Sequence, residues 1–136
     1  MIVVDSNLIA YLYVGGLWSS LARQVLLQDP HWGAPLLWRS ELRNTLVKSL
    51  RSGAVEPGEA FRIMTEAESL MLGGEYHVVS ADVLNLAASS GCTAYDAEFV
   101  ALARGLSVPL VTTDRELLEK FPETAVTPER FLAGGG

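Results

Sequence analysis

The hydrophobic positions of the chain alternate between short apolar runs and longer stretches with helical spacing. The short runs predict buried strands at residues 2–4, 34–37, 76–79, 109–112 and 125–126. The stretches between them predict helices at residues 8–14, 21–28, 39–51, 57–72, 80–90, 93–104 and 114–121. Because strands alternate with helices along the whole chain, we expect an α/β fold. Its form should be a three-layer α/β/α arrangement with a mainly parallel central sheet.

Several helix ends are predicted from residues that favour caps and stops. Ser19 or Ser20 is expected to cap the second helix, and Pro57 suits the first turn of the fourth. Gly53 and Gly105 are expected to end the helices that precede them. A four-residue repeat that begins at Trp38 predicts one core-facing stripe on the third helix.

Length and composition predict one globular domain. The chain has 136 residues, of which 49% are hydrophobic and 19% charged. We expect a single domain over residues 1–131 and a flexible tail over residues 132–136, which ends in three glycines. Cys92 is the single cysteine, so the chain can form neither an internal disulfide nor a cysteine-rich zinc site.

The location and the charge of the protein also follow from composition. No apolar run approaches the ~18 residues of a membrane span, and the first residues lack the basic start of a targeting signal. We therefore expect a cytoplasmic protein with no membrane partner. The 10 Lys and Arg against 16 Asp and Glu leave a net charge of −6, which excludes a general basic coat for nucleic acid.

Two aspartates lie just after predicted strands. Asp5 directly follows residues 2–4, and Asp114 follows Leu110-Val111-Thr112-Thr113. Since ligands of parallel sheets collect beyond the carboxyl ends of the strands, both carboxylates should open onto the same edge. Each also has a purely structural interpretation. Ser6 or Asn7 beside Asp5 can cap the next helix, whereas Thr113 and Glu116 have the spacing of a capping box.

Two further acids lie on predicted helices. Asp96 shares a stripe with Phe99 on a helix that is apolar almost all round, although Thr93 and Asp96 also have capping-box spacing. Glu41, considered alone, is an ordinary surface acid. If the four acids come together they repel one another strongly unless a divalent cation neutralises them. A cluster of carboxylates without Cys or His favours Mg²⁺ or Mn²⁺.

Four segments of the chain resemble PIN-domain ribonucleases of the VapC toxin type. These segments are VVDSNLI at 3–9, SELRN at 40–44, TAYDAEFVALA at 93–103 and PLVTTDREL at 109–117. The resemblance identifies the four acidic site residues and three supporting polar residues. They are Asp5, Glu41, Asp96 and Asp114, supported by Asn7, Thr112 and Thr113. It also implies a PIN-like fold, RNA cleavage with Mg²⁺ or Mn²⁺, a small antitoxin protein as partner and a homodimer.

Contacts to substrate phosphates must come from a few local cations. Lys48 shares a flank of its helix with Glu41, and Arg115 follows Asp114, so both are candidates. For each of them a solvated surface position is the commoner role. His77 is expected in a strand, as a core or edge residue.

Two other functions are consistent with parts of the pattern. A phosphatase of the haloacid dehalogenase kind would use Asp5 as the nucleophile, but it needs a lysine near a later strand and a paired-acid motif. The chain has only Lys48 and Lys120 and no adjacent pair of aspartates. A non-catalytic PIN-like binding module would ordinarily have lost one or more of the four acids. The metal-dependent endoribonuclease is therefore the favoured hypothesis.

Overall fold

A parallel sheet forms the centre of the protein. The computed structural model describes residues 1–134 and contains, within them, five short strands. They are β1 (Ile2–Val4), β2 (Trp32–Pro35), β3 (Glu75–Tyr76), β4 (Leu110–Val111) and β5 (Ala125–Val126). Their order across the sheet is β3-β2-β1-β4-β5, and every neighbouring pair is parallel. In register, Ile2 lies opposite Trp32, and Val3 lies opposite Leu110.

Helices connect the strands and form the two outer layers. They are α1 (Ser6–Val14), α2 (Ser19–Gln28), α3 (Leu37–Ser52), α4 (Pro57–Leu70), α5 (Ser80–Ser90), α6 (Ala94–Leu106), α7 (Arg115–Lys120) and α8 (Pro128–Leu132). From β1 the chain moves outward through β2 to β3, then returns to β4 on the other side of β1. Right-handed crossovers therefore place α1–α4 on one face and α5–α7 on the other. The predicted three-layer α/β/α fold with a parallel sheet is confirmed.

The core is built from β1 and from the helices that cover it. All three residues of β1 are buried, as is the run from Phe99 to Ala103 on α6. The predicted stripe of α3 is also buried at Trp38, Leu42 and Leu46. Because α6 packs on β1, β2 and β4, its amino-terminal end is fixed against the carboxyl edge of the sheet.

Some predicted strand and helix boundaries were wrong. The strand predicted at 34–37 begins earlier, at Trp32, and ends at Pro35, because the residues after it already start α3. The strand predicted at 76–79 is only Glu75–Tyr76, so His77 lies beyond it and is exposed. Gly105 does not stop α6. The helix continues to Leu106, and Ser107 ends it in the left-handed region at φ 56°.

The predicted caps had mixed outcomes. Gly53 ends α3 at φ 80°, and Pro57 is the first residue of α4, both as expected. Ser19 and Ser20 were both wrong as caps. They are the first two residues of α2, which has Trp18 at its N-cap with no side-chain cap bond. The hydroxyl of Ser19 instead accepts a hydrogen bond from Arg23 at 2.8 Å.

The carboxyl-terminal helix α8 was not predicted. Thr127 caps it by accepting the backbone N–H of Arg130 at 3.1 Å, and the helix packs against α2. It ends at Leu132, which packs partly buried against the core. The last two residues of the predicted flexible tail, Gly135 and Gly136, lie outside the described residues. Among residues 1–134 the structure has no helix of the length and apolar character that a membrane span needs.

Candidate active site

All four predicted acids line one open cleft of about 390 Å³. The cleft lies beyond the carboxyl ends of β1 and β4, the neighbouring strands between which the chain changes direction across the sheet. Glu41 reaches it from α3 on one face of the sheet, and Asp96 reaches it from α6 on the other. In the part of the chain described, the remaining lining residues are uncharged, so they include no Lys or Arg. They are Ser6, Asn7, Leu37, Ser40, Asn44, Thr45, Tyr95, Phe99 and Leu117.

Asp5 is buried at the base of the cleft, where β1 turns into α1. One carboxylate oxygen accepts the backbone N–H of Leu8 at 3.0 Å, so Asp5 is the N-cap of α1. The other oxygen accepts the hydroxyl of Thr112. Burial raises the pKa of Asp5 to about 6, against the lowering effect of these two hydrogen bonds. The charges of Asp114 and Glu41 add to the increase.

Asp114 is the N-cap of α7, where its side chain accepts the backbone N–H of Leu117 at 3.1 Å. The capping box expected from Thr113 and Glu116 was therefore wrong, because the cap is one residue further along. The hydroxyl of Thr113 instead lies 3.2 Å from the hydroxyl of Tyr11 on α1. Asp114 thus serves both as a helix cap and as a wall of the cleft.

Glu41 is held in place by a residue close to Asp5. The hydroxyl of Ser6 donates a hydrogen bond of 2.6 Å to a carboxylate oxygen of Glu41. This contact joins the first turn of α1 to the second turn of α3. Glu41 is half-buried, so the interpretation of it as an ordinary surface acid was wrong.

Asp96 lies in the first turn of α6 and is half-buried. Its backbone N–H donates to the hydroxyl of Thr93 at 3.0 Å, so Thr93 caps the helix as expected. Burial raises the pKa of Asp96, and the charges of Asp114 and Glu41 raise it further. The carboxylates from three separate segments therefore interact electrostatically across the cleft.

The donor set has the chemistry of a site for a hard divalent cation. Carboxylate oxygens with no Cys or His nearby suit Mg²⁺ or Mn²⁺ rather than zinc. In the described chain, however, no three Asp, Glu, His or Cys side chains are grouped closely enough to hold a metal ion as they stand. Mg²⁺ usually binds through one or two carboxylates and keeps several waters. A few of the cleft acids, with water and substrate oxygens, are therefore a fitting set.

The other predicted site residues are divided between the cleft and its surroundings. Asn7 lines the cleft, and Thr112 contacts Asp5 from below it. Lys48 and Arg115 are exposed, and neither is among the residues that line the cleft. Cys92 is buried, with the hydroxyl of Ser90 at 3.2 Å, as expected for a structural thiol.

Several cleft residues were missed by the sequence reasoning. On α3, Asn44 and Thr45 line the cleft together with Glu41. Their spacing of three and four residues from Glu41 places them on the same helical face, and that signal could have found them. Tyr95 also lines the cleft, beside Asp96. Its adjacency to a predicted site residue was the available signal.

The fold and the acidic cleft define a PIN-like α/β domain. The chain is 36% identical over 130 residues to Ribonuclease VapC3 from Pyrobaculum aerophilum, an alignment that covers 93% of this chain and 98% of the relative. The chain therefore belongs to the VapC family of ribonucleases, which confirms the resemblance in the sequence. No family model matches it.

Two solved structures resemble the protein over nearly its whole length. The crystal structure of PAE2754 from Pyrobaculum aerophilum has a TM-score of 0.78 at 26% identity and covers 98% of this chain and 94% of that one. A toxin-antitoxin complex from Klebsiella pneumoniae has a chain with a TM-score of 0.70 at 16% identity, which covers 94% of this chain and 98% of that one. At that identity the second structure supports the fold alone.

Proposed function

We propose that this protein is an endoribonuclease that hydrolyses RNA phosphodiester bonds with the aid of Mg²⁺ or Mn²⁺. One observation carries the proposal: four carboxylates from separate segments face one cleft at the switch point of a VapC-family domain. Such a cleft repels a phosphodiester on its own. A cation is therefore needed for the acids to act on RNA.

The chemistry that a bound divalent ion supplies is charge neutralisation at the phosphate and a lowered pKa for a coordinated water. Asp5 and Asp96 are proposed as the innermost ligands. Thr112 and the amide of Leu8 fix the Asp5 carboxylate, so little reorganisation is needed there when substrate binds. Glu41 completes the site directly or through water, as does Asp114. By analogy with the family, hydrolysis leaves a 5′ phosphate.

The experiment is a digest of single-stranded RNA with and without Mg²⁺, with products identified by mass spectrometry. Asp96→Asn keeps the shape of the side chain and removes its charge, so we expect a loss of cleavage of about 100-fold or more. Glu119→Gln is a matched control, because Glu119 is an exposed acid that does not line the cleft. If Asp5→Asn and Asp96→Asn both cut as well as the parent, the proposed metal site is wrong.

The phosphatase alternative has little structural support. Direct attack by Asp5 on phosphorus would require a lysine at the site, yet neither Lys48 nor Lys120 lines the cleft. A phosphatase would release inorganic phosphate and leave the RNA chain intact, whereas a non-catalytic binding module would release no phosphate and cut no bond. The same digest therefore separates the three functions.

We also propose that the protein is the toxin of a toxin-antitoxin pair and acts in the cytoplasm as a homodimer. Support comes from its membership of the VapC family and from its likeness in fold to a chain of a toxin-antitoxin complex. Co-expression with the product of a short neighbouring reading frame tests the pairing. The expected result is a co-purified complex in which RNA cleavage is suppressed. Sedimentation of the isolated protein measures its oligomeric state.

A further inference from the structure

One wall of the cleft carries an aromatic side chain that the acids do not explain. Tyr95 lies in the first turn of α6, next to Asp96, and is 62% exposed. Two other aromatic side chains, Trp18 and Phe61, are also exposed, but they do not line the cleft. Tyr95 is therefore a large apolar surface left open beside a candidate catalytic acid.

The charge of the cleft limits how RNA can be held there. In the described chain the lining includes four acids and no Lys or Arg, so no basic side chain of the cleft can bind a phosphate. A bound cation can offset the charge of the reacting phosphodiester, and the other contacts made inside the cleft must be to neutral parts of the substrate. Nucleobases are the neutral parts of RNA that offer the largest contact area.

Tyr95 has the chemistry to bind a base. Stacking of one base on an aromatic side chain changes affinity by about 5-fold to 150-fold, and it tolerates any base because every base has a flat apolar face. Asn44 and Thr45 also line the cleft. The amide of Asn44 can donate to or accept from a base edge, whereas the Thr45 hydroxyl donates to the backbone carbonyl of Glu41 at 3.2 Å and can only accept. Bases of a duplex are already stacked, so only an unpaired base is available to the tyrosine.

We propose that Tyr95 is a stacking platform for one unpaired base of single-stranded RNA, beside the phosphodiester that is cut. Because Tyr95 and Asp96 are adjacent in the chain, the stacked base belongs to a nucleotide next to the reacting bond. The inference rests on the proposed ribonuclease function and adds to it a residue that binds a base of the substrate. It makes Tyr95 a determinant of substrate affinity rather than a metal ligand.

The test compares Tyr95→Ala and Tyr95→Phe with the parent on a short single-stranded RNA in Mg²⁺. We expect Tyr95→Ala to raise KM about tenfold with a smaller change in kcat, and Tyr95→Phe to restore the parent value, since phenylalanine keeps the ring. Phe61→Ala is the matched control, because Phe61 is 72% exposed on α4, away from the cleft. It should leave KM unchanged.

A second substrate separates stacking from a structural role of the side chain. An otherwise identical RNA with one abasic site is tested at each position next to the cut. At the position that stacks, the loss of the base should cost the parent about as much as Tyr95→Ala does, and the variant should lose nothing further. The proposal is overturned if Tyr95→Ala keeps the KM of the parent. It is also overturned if Tyr95→Ala raises KM relative to the parent by the same factor on every abasic RNA. An unchanged KM combined with loss of a protein complex would instead assign Tyr95 to a protein partner.

Direct binding keeps this inference distinct from the proposed function. A single-stranded RNA that carries 2-aminopurine reports stacking by fluorescence quenching, whether or not it is cut. If RNA binds with quenching that Tyr95→Ala removes but no cleavage occurs, the ribonuclease proposal fails and the stacking site stands. If the parent cleaves RNA but does not quench the probe at any position, the stacking site fails alone. If the parent neither binds nor cuts RNA, both fail.

Discussion

The hydroxyl of Thr112 donates a hydrogen bond to the buried carboxylate of Asp5, across the adjacent ends of strands β4 and β1. The oxygen of the Thr112 hydroxyl also accepts the backbone N–H of Asp114 at 3.0 Å. Thr112 is fully buried, so its hydroxyl has no access to solvent and is committed to these two partners. One side chain therefore fixes the positions of two cleft acids.

Replacing Thr112 with valine should reduce both stability and RNA cleavage. The variant keeps the shape of the side chain but leaves an oxygen of Asp5 without its donor, at a cost of about 1–3 kcal/mol in the free energy of unfolding. Loss of a group that orients a metal ligand typically lowers activity about 10-fold to 100-fold. Urea denaturation and cleavage rates measure the two effects.

Two variants control for this result. Thr112→Ser retains the hydroxyl and should stay close to the parent in both measurements. Thr113→Val removes the neighbouring hydroxyl, whose contact is with Tyr11 rather than with an acid, and should affect cleavage less. Cleavage by Thr112→Val at the parent rate would contradict an orienting role for this side chain.

The raised pKa of Asp5 predicts how stability depends on pH in the metal-free protein. The pKa of this carboxyl is about 6 in the folded state, against about 3.9 for an aspartate in an unfolded chain. The folded state therefore binds the proton more tightly, and this contribution to stability is fully present below pH ~4. It is lost as the pH rises to about 6, by about 3 kcal/mol in the free energy of unfolding.

Asp5→Asn should remove this dependence, because the amide does not titrate. Denaturation in chelator between pH 4 and 7 is the measurement. The stability of the variant relative to the parent should increase across that range, so that at pH 7 the variant is as stable as the parent or more stable. Parallel pH curves for the two proteins would show that burial of Asp5 does not perturb its ionisation.

The sequence could predict the position of those site residues that lie just after strands. Asp5 directly follows β1, and Asp114 lies three residues after the end of β4. A parallel sheet brings the residues that follow neighbouring strands to one edge. The contact between Ser6 and Glu41 spans 35 residues and joins two helices, so no local spacing could indicate it. Its existence depends on how α1 packs against α3. Pairwise packing of this kind is set by the whole fold.

Local signals failed where two of them competed. Gly105 favours a helix end, yet α6 passes through it because the last turn still packs, and Ser107 takes the left-handed conformation instead. Thr113 has capping-box spacing, but other groups accept the backbone N–H groups at the start of α7. The hydroxyl of Thr112 accepts that of Asp114, and the side chain of Asp114 accepts that of Leu117. In both cases tertiary contacts decided between alternatives that the sequence left nearly equal.

Arg39 should contribute to stability without any effect on cleavage. Its guanidinium donates to Glu75 at 2.6 and 2.8 Å and to Glu68 at 2.7 Å, which ties α3 to β3 and α4. The guanidinium lowers the pKa of Glu75, so this ion pair stabilises the fold at pH values above the ordinary pKa of a glutamate. The stabilisation is lost as the pH falls from there through the lowered pKa of Glu75. Arg39→Gln should lower the melting temperature at pH 7.

The control for Arg39 lies on the same helix. Arg43 is exposed and forms no ion pair with the described residues, so Arg43→Gln should leave the melting temperature unchanged. Both variants should cleave RNA at the parent rate, because neither arginine lines the cleft. A loss of activity in Arg39→Gln without unfolding would show that the β3 side of the sheet influences the site.

The net charge of −6 predicts that RNA binding depends on divalent cations. The four cleft acids carry four of the negative charges. In the proposed mechanism they lie where the substrate phosphate binds. In chelator the cleft should repel RNA, so we expect affinity at least about tenfold weaker than in Mg²⁺. Anisotropy with a slowly cut phosphorothioate RNA measures it. Sodium chloride at equal ionic strength controls for general screening and should not replace Mg²⁺.

Asp114→Asn provides the sharper form of this prediction. Removal of one negative charge from the cleft should strengthen RNA binding in chelator and weaken the response to Mg²⁺, so the two affinities should move towards each other. Glu119 is an exposed acid on α7, the helix that Asp114 caps. Glu119→Gln is therefore the matched control and should leave both affinities unchanged. Equally tight binding by the parent in chelator and in Mg²⁺ would mean that RNA is held away from the acidic cleft.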